Sequence, residues 1–156
     1  MWADGRSLDR LFRISGQLTN HPKPDDFRFV TAALHDSRAE LRERAIFIGA
    51  LRWRDPTVLG YVFFAFQTGI EPDENNRRLM IESPVSASVS GAFDSAVLER
   101  ELLAALERLA HSEVEAKAAF VGLLRLRGLM SISEWAANDY DRVVVDLGVL
   151  RAISPS

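Results

Sequence analysis

The sequence predicts one all-α domain spanning residues 1–156, an α-α superhelix of about three helical hairpins with flanking helices. Three observations support this prediction. Apolar residues recur at helical spacing along most of the chain, no two convincing strands could pair with each other, and an apolar segment recurs after 73 residues, at Ala45 and again at Ala118. No low-complexity segment or long linker divides the chain.

The internal repeat is clearest in two apolar helices. Residues 45–52 (AIFIGALR) align with residues 118–125 (AAFVGLLR), and this alignment matches Gly49 with Gly122. Apolar residues lie on both faces of each predicted helix, so each is expected to have neighbours on two sides. A glycine costs about 1 kcal/mol within a helix. Its recurrence at matched positions therefore predicts close backbone approach between stacked helices.

The remaining helices are predicted from start and stop signals. Because 73 residues is two steps of about half that length, a degenerate unit is expected between the two copies. Its first helix begins at Asp55 and Pro56 and ends near Gln67, and its second starts at Arg77 after a polar turn. Pro84 is expected to kink or break that second helix. Further helices are predicted over residues 8–19, 25–35, 95–109 and 141–152, and after a capping box formed by Ser131 and Glu134.

One segment of the last predicted helix also fits another structure. Val143 to Val145 would suit a strand because β-branched residues favour strands. We interpret it as helical because no second strand is available to pair with it.

Residues 29–45 (FVTAALHDSRAELRERA) resemble a HEAT repeat. In that pattern the first helix ends on apolar residues, the chain turns at an aspartate, and the second helix opens with an apolar residue, an arginine and then a small residue. The resemblance implies a short HEAT-like solenoid with a concave surface formed by the second helices. The matching residues are Leu34, Asp36, Leu41, Arg42 and Ala45.

The third unit departs from this pattern. It has Val114 and Glu115 where the pattern has an apolar residue followed by arginine, and His111 lies in its turn without an aspartate. A helical bundle without true repeats is therefore the alternative fold.

Composition excludes several classes of function. The chain has no cysteine, so it has neither disulfides nor thiolate sites. Its net charge of −3 and the lack of an uncompensated basic stripe argue against a nucleic-acid partner. The longest apolar run, residues 61–66, is far shorter than the roughly 20 residues of a membrane-spanning helix, so no membrane association is expected. The charged N-terminus resembles no secretory signal, which predicts a cytoplasmic location.

Motifs that indicate catalysis, metal binding or phosphate binding are scarce. The three histidines are scattered with no metal-binding spacing, and no glycine-rich phosphate loop occurs. Paired carboxylates could do acid and base work, but their places at helix starts and turns favour a structural role. We therefore predict no catalytic residues, no metal and no cofactor, and hence no enzyme. The carboxylate pairs are Glu113 with Glu115, Asp139 with Asp141, and Asp73 with Glu74.

The predicted function is a non-catalytic protein-binding module. Its most concrete form is a bacterial immunity or inhibitor protein that neutralises a toxin, a form suggested by small size and acidic balance. Charged residues in the first turns of the second helices are expected to point to solvent and to bind the partner. Two tryptophans would also bind the partner if they were exposed. The predicted binding residues are therefore Arg42, Arg44, Trp53, Arg77, Arg78, Glu113, Glu115, Lys117 and Trp135.

The two tryptophans fit a hydrophobic core better than a surface.

The resemblance also allows other functions. HEAT-like proteins also include enzymes or enzyme-accessory proteins of lyase-like or DNA-glycosylase-like type, and structural adaptor subunits.

Overall fold

The computed structural model describes residues 4–17, 19, 21–108, 113–137 and 139–152, and every regular element in these ranges is helical. The all-α prediction is confirmed. A π-helical segment, Phe47–Arg52, continues α3, and a single 3-10 turn, Tyr140–Arg142, precedes α9. The α-helices are α1 (Asp4–Ser15), α2 (Pro24–Ala33), α3 (Ala39–Ile46), α4 (Pro56–Thr68), α5 (Glu74–Val89), α6 (Ser95–Glu107), α7 (Glu113–Leu126), α8 (Ile132–Ala136) and α9 (Leu147–Ala152).

Consecutive helices pack as pairs. Helix α2 packs on α3 and its π-helical extension, α4 packs on α5, and α6 packs on α7. The second helices of these pairs contact one another in chain order, with α5 between α3 and α7. Helix α1 packs against α3, and α8 packs against α7. The apolar second helices therefore have neighbours on two sides, as their sequences predict.

Side-chain caps fix where several helices begin. Asp55 Oδ1 accepts two backbone N–H groups at the start of α4, and Asp94 does the same for α6. Asp73 accepts one such bond at the start of α5. The predicted capping box of α8 is confirmed, because Ser131 and Glu134 each accept the other's backbone N–H.

Some predicted boundaries are wrong. Helix α5 begins at Glu74 rather than at Arg77, and it continues through buried Pro84 without a break. The Ser83 hydroxyl donates to the Leu79 carbonyl at 2.6 Å within this helix, and packing against both α3 and α7 supports it. Proline removes one backbone donor, but neighbouring helices hold the segment helical.

The ends of the chain differ from the prediction as well. Helix α1 ends at Ser15 rather than at residue 19, and residues 143–146 are neither helix nor strand. The predicted end of α6 at Leu109, and His111 in the following turn, lie outside the described residues.

Both repeated glycines lie where a neighbouring helix comes close. A Cβ at Gly49 would lie 2.7 Å from Cγ1 of Val58 in α4, and one at Gly122 would lie 2.9 Å from Cγ2 of Val85 in α5. Each glycine therefore makes room for a valine side chain of a neighbouring helix, and the two neighbouring helices are not equivalent. Ala45 and Ala118, the first residues of the repeated segment, are both buried in the core. Among the described helices, none has the length and apolar character needed to cross a lipid bilayer.

Candidate functional site

Arg42 ties the start of α3 to two turns. Its Nη2 and Nε donate to the two carboxylate oxygens of Glu71, at 2.7 and 2.9 Å. Its Nη1 donates to the backbone carbonyls of Asp36 and Ser37, at 2.8 and 2.9 Å. The Arg42 side chain is only 11 % exposed. This two-pronged, largely buried ion pair joins the turn before α3 to the turn before α5.

Arg77 repeats this arrangement one helical pair later. Its Nε donates to Oε1 of Glu115 in α7, and its Nη1 donates to the carbonyls of Glu71 and Pro72, at 3.1 and 2.6 Å. In both cases the carbonyl acceptors lie six and five residues before the arginine. We refer to Arg42–Glu71 and Arg77–Glu115 together as the ion-pair ladder. It connects α3, α5 and α7 near their N-terminal ends.

Asn76 adds a further cross-connection beside the ladder. This residue is buried, and its Nδ2 donates to the carbonyl of Ala39 at 3.0 Å, which links the first turns of α5 and α3. Its Oδ1 has no hydrogen-bond partner among the described residues.

Electrostatics around the ladder favour ionised carboxylates. Burial alone would raise the pKa of Glu71, but hydrogen bonds from Arg42 and from the Asp73 amide outweigh it and lower that pKa. The pKa of Asp36 is lowered mainly by its hydrogen bond with the Arg38 side chain, at 3.0 Å. Glu71 in turn raises the pKa of Arg42.

The ladder corrects part of the predicted binding surface. Arg42 and Glu115 were expected to point to solvent, and that expectation is wrong, because both side chains are largely buried in ion pairs. Arg77, expected near a charged rim, pairs with Glu115 and is 25 % exposed. The sequence carries a signal for this arrangement. A shift of 35 residues matches Arg42 with Arg77 and Asp36 with Glu71. The backbone carbonyls of Asp36 and Glu71 accept hydrogen bonds from the two guanidinium groups.

Three other predicted residues, Arg78, Glu113 and Lys117, form local ion pairs. Arg78 pairs with Glu82 on α5 at 3.5 Å, and Lys117 pairs with Glu113 on α7 at 2.7 Å. Glu113 is exposed, and its pKa is lowered by Lys117. Pairs of this kind, one helical turn apart, contribute little to stability. The Glu113 side chain is 80 % exposed, whereas the Lys117 side chain is only 13 % exposed.

Trp53 belongs to the core. It is 9 % exposed and stacks against Phe27 with ring centroids 6.5 Å apart. The core interpretation is confirmed, and the idea that Trp53 is an exposed binding residue is wrong.

The candidate catalytic carboxylates have structural partners. Asp139 pairs with Arg142 at 3.4 Å and accepts the backbone N–H of Asp141, while Asp73 caps α5. His35 is exposed and lies edge-on to Tyr61. Within the described residues there is no group of three histidine, aspartate or glutamate side chains that could hold a metal ion.

A depression of about 660 Å³ lies between α1 and the start of α2. Its walls carry both signs of charge, and Arg10 pairs across it with Asp26 at 3.6 Å. The depression is open to solvent and offers neither an apolar floor nor a consistent charge.

A first surface feature lies on α1, α3 and the π-helical segment. The guanidinium carbon of Arg44 lies 4.3 Å from the ring centroid of Phe12 and 5.6 Å from that of Phe47. The two rings are 50 % and 37 % exposed. No carboxylate of the described residues pairs with Arg44. We call these three residues the aromatic–arginine cluster.

The second feature is a shallow groove at the C-terminal ends of the second helices. It has a volume of about 130 Å³ and contains the half-buried ring of Trp135. Residues of three successive helical pairs and of α8 contribute to it. We call it the arginine groove, and its lining residues are Arg54, Ser86, Val89, Ser90, Arg125, Ile132 and Trp135.

Sequence reasoning found one member of each feature, Arg44 and Trp135. It missed Phe12 and Arg54, because a surface cluster formed by separate elements has no local sequence signature. Comparison of the chain with protein-family models, with curated proteins and with solved structures gives no significant match. The function is therefore inferred from the chain's own residues.

Proposed function

We propose that the chain is a non-catalytic protein-binding module whose three helical pairs are arranged as a short HEAT-like superhelix. Contacts between successive second helices and the 35-residue spacing of the two ladder arginines support this arrangement. Stacked pairs of this kind present an extended surface suited to a macromolecular partner.

The aromatic–arginine cluster is the observation that carries the proposal. Arginine and aromatic residues are enriched among the residues that contribute most to protein–protein affinity. The flat guanidinium of Arg44, held between two rings, is oriented before a partner arrives, so little side-chain entropy is lost on binding. Exposed phenylalanine rings bury a large apolar area when covered. A partner with a carboxylate beside an apolar surface fits this cluster.

The most concrete form of the proposal is a bacterial immunity or inhibitor protein that occludes a toxin. It is supported by composition, namely a small chain with a net charge of −3 and no cysteine. Co-expression with a toxin encoded beside this chain's gene tests this form. Cells should survive when the intact chain is present and die when it is absent.

The general proposal is tested with a matched set of surface variants. The chain is used to capture partners from an extract of its native cell, in parallel with a Phe12→Ser, Arg44→Ser double variant and a Phe64→Ser variant. Phe64 is 54 % exposed on α4 and lies outside the cluster, so it controls for the loss of an exposed ring.

The expected result is specific loss of capture. A partner should be retained by the wild-type chain and by Phe64→Ser, and its affinity should fall at least about tenfold with the double variant. Equal affinity for all three proteins would exclude the cluster as the binding site. Turnover of a substrate by the purified chain would contradict the non-catalytic assignment.

A further inference from the structure

We propose that the arginine groove binds a polypeptide segment that presents an apolar side chain next to a carboxylate. The groove lies on α5, α7 and α8 and on the turn after the π-helical segment, whereas the aromatic–arginine cluster lies on α1, α3 and the first residue of the π-helical segment. The inference is independent of the proposed use of that cluster.

The floor of the groove is apolar. Val89 at the end of α5 and Ile132 in α8 are 43 % and 62 % exposed. The Trp135 ring is partly buried against the core and forms a rigid wall beside them. An apolar side chain of a partner would cover this exposed area and gain free energy in proportion to it.

The rim of the groove is cationic. Arg54 and Arg125 line it, no carboxylate does, and neither arginine forms an ion pair with a described residue. Arg125 Nη1 donates to the Met130 carbonyl at 3.1 Å, which orients that guanidinium. The chain as a whole carries a net charge of −3, so the positive charge here is local. One oriented guanidinium, that of Arg125, and the exposed guanidinium of Arg54 beside an apolar floor match a carboxylate.

The backbone at Arg54 supports a role for its side chain. Its φ of 52° lies in the left-handed region, and Arg54 is the only non-glycine residue with positive φ in the described part of the chain. Hydrogen bonds from Trp53 N–H to the Ile48 carbonyl and from Asp55 N–H to the Gly49 carbonyl hold the turn on either side. Glycine is the residue that such a helix end favours. Non-glycine residues in this conformation are enriched at functional sites.

The size and openness of the groove favour a polypeptide over a small molecule. Pockets that enclose a small ligand have volumes of roughly 300–1,000 Å³. The arginine groove holds about 130 Å³ and leaves its floor exposed. It can accept one side chain of a polypeptide segment, and the rest of that segment would contact the surface outside the groove. The groove is too small and open to enclose a small-molecule ligand.

The test follows the Trp135 indole N–H signal of the ¹⁵N-labelled chain by nuclear magnetic resonance, with Trp135→Phe used to assign the signal. One probe is the N-acetylated, C-amidated tetrapeptide Glu-Leu-Leu-Glu. Its matched counterpart is Gln-Leu-Leu-Gln, and octanoate serves as a small amphipathic acid. Three variants are compared with the wild type: Arg54→Gly, Arg125→Gln, and Arg108→Gly as a control that removes the same charge from the exposed residue after α6.

We expect the acidic peptide to shift the Trp135 indole signal in a saturable way, and its affinity to fall as salt is added. Affinity should fall about tenfold for the glutamine peptide and for each of Arg54→Gly and Arg125→Gln, and stay unchanged for Arg108→Gly. The dispersed spectrum of each variant shows whether it is folded. Absence of a saturable shift, or an equal affinity in Arg54→Gly and the wild type, would overturn the proposal. Octanoate binding at least as tightly as the acidic peptide would overturn it as well, and would assign the groove to small carboxylic acids.

Discussion

Glu71, in the turn before α5, accepts two hydrogen bonds from the guanidinium of Arg42 in α3, at 2.7 and 2.9 Å. Both side chains are almost fully shielded from solvent. Two of the three pairs of helices therefore meet at a buried ion pair. Removing one partner of such a pair leaves a buried charge without compensation, which costs far more than losing an exposed pair.

Replacing Glu71 with glutamine should be strongly destabilising. Glutamine keeps the size of the side chain but removes the negative charge that compensates buried Arg42. We expect the free energy of unfolding, measured by urea denaturation, to fall by about 3 kcal/mol. Glu113→Gln, which removes the exposed partner of Lys117, should unfold at nearly the same urea concentration as the wild type. Equal midpoints for Glu71→Gln and the wild type would mean that the ladder does not stabilise the fold.

The same carboxylates should make the fold sensitive to acid. The pKa values of Glu71 and Asp36 in the folded chain lie below their ordinary values of 4.5 and 3.8. The unfolded chain therefore takes up protons first as the pH falls, so the stabilisation is complete above pH 4.5 and is lost as the pH drops through the lowered values. Urea denaturation at a series of pH values measures this loss. Glu71→Gln should show a shallower dependence, and an unchanged slope would contradict the assignment.

Local sequence signals predicted local structure well. Asp55 and Pro56 mark the start of α4, and the spacing of Ser131 and Glu134 marks the capping box of α8, because a cap depends on residues within one helical turn. Gly49 and Gly122 indicated close helix approach, because a glycine inside a helix costs stability without a compensating contact.

Features that depend on tertiary contacts were predicted poorly. Arg42 was expected in solvent because its acceptor, Glu71, lies 29 residues away in another turn. Pro84 was expected to break a helix that packing on two sides maintains. Phe12 and Arg44 belong to different helices, so only the folded chain brings their side chains together.

Two glycine-to-alanine substitutions should have opposite effects. A Cβ at Gly49 would lie 2.7 and 2.9 Å from the Val58 methyl carbons, whereas nothing lies within 4 Å of one at Gly60 in α4. We expect Gly49→Ala to lower the free energy of unfolding by about 1–3 kcal/mol through overpacking. Gly60→Ala should raise it by about 0.5–1 kcal/mol through helix propensity.

A double variant separates steric overlap from other causes in Gly49→Ala. Val58→Ala removes the methyl groups that the new Cβ would meet. The Gly49→Ala, Val58→Ala variant should therefore be more stable than the sum of the two single changes predicts. Urea denaturation measures the free energies of unfolding. If the losses of the two single variants simply add in the double variant, the Val58 methyl groups do not cause the destabilisation.

Arg54→Gly should stabilise the chain, although Arg54 is proposed to bind a partner. At φ 52° an arginine side chain is strained and glycine is not, so we expect the free energy of unfolding to rise by about 0.5–1 kcal/mol. The matched change Arg108→Gly lies at the end of α6, where φ is −67° and ordinary residues are unstrained. There, glycine adds entropy to the unfolded chain, so the free energy of unfolding should fall by up to about 1 kcal/mol. A loss of stability in Arg54→Gly as large as that in Arg108→Gly would mean that the Arg54 side chain supports the fold, and the turn would then need no functional explanation.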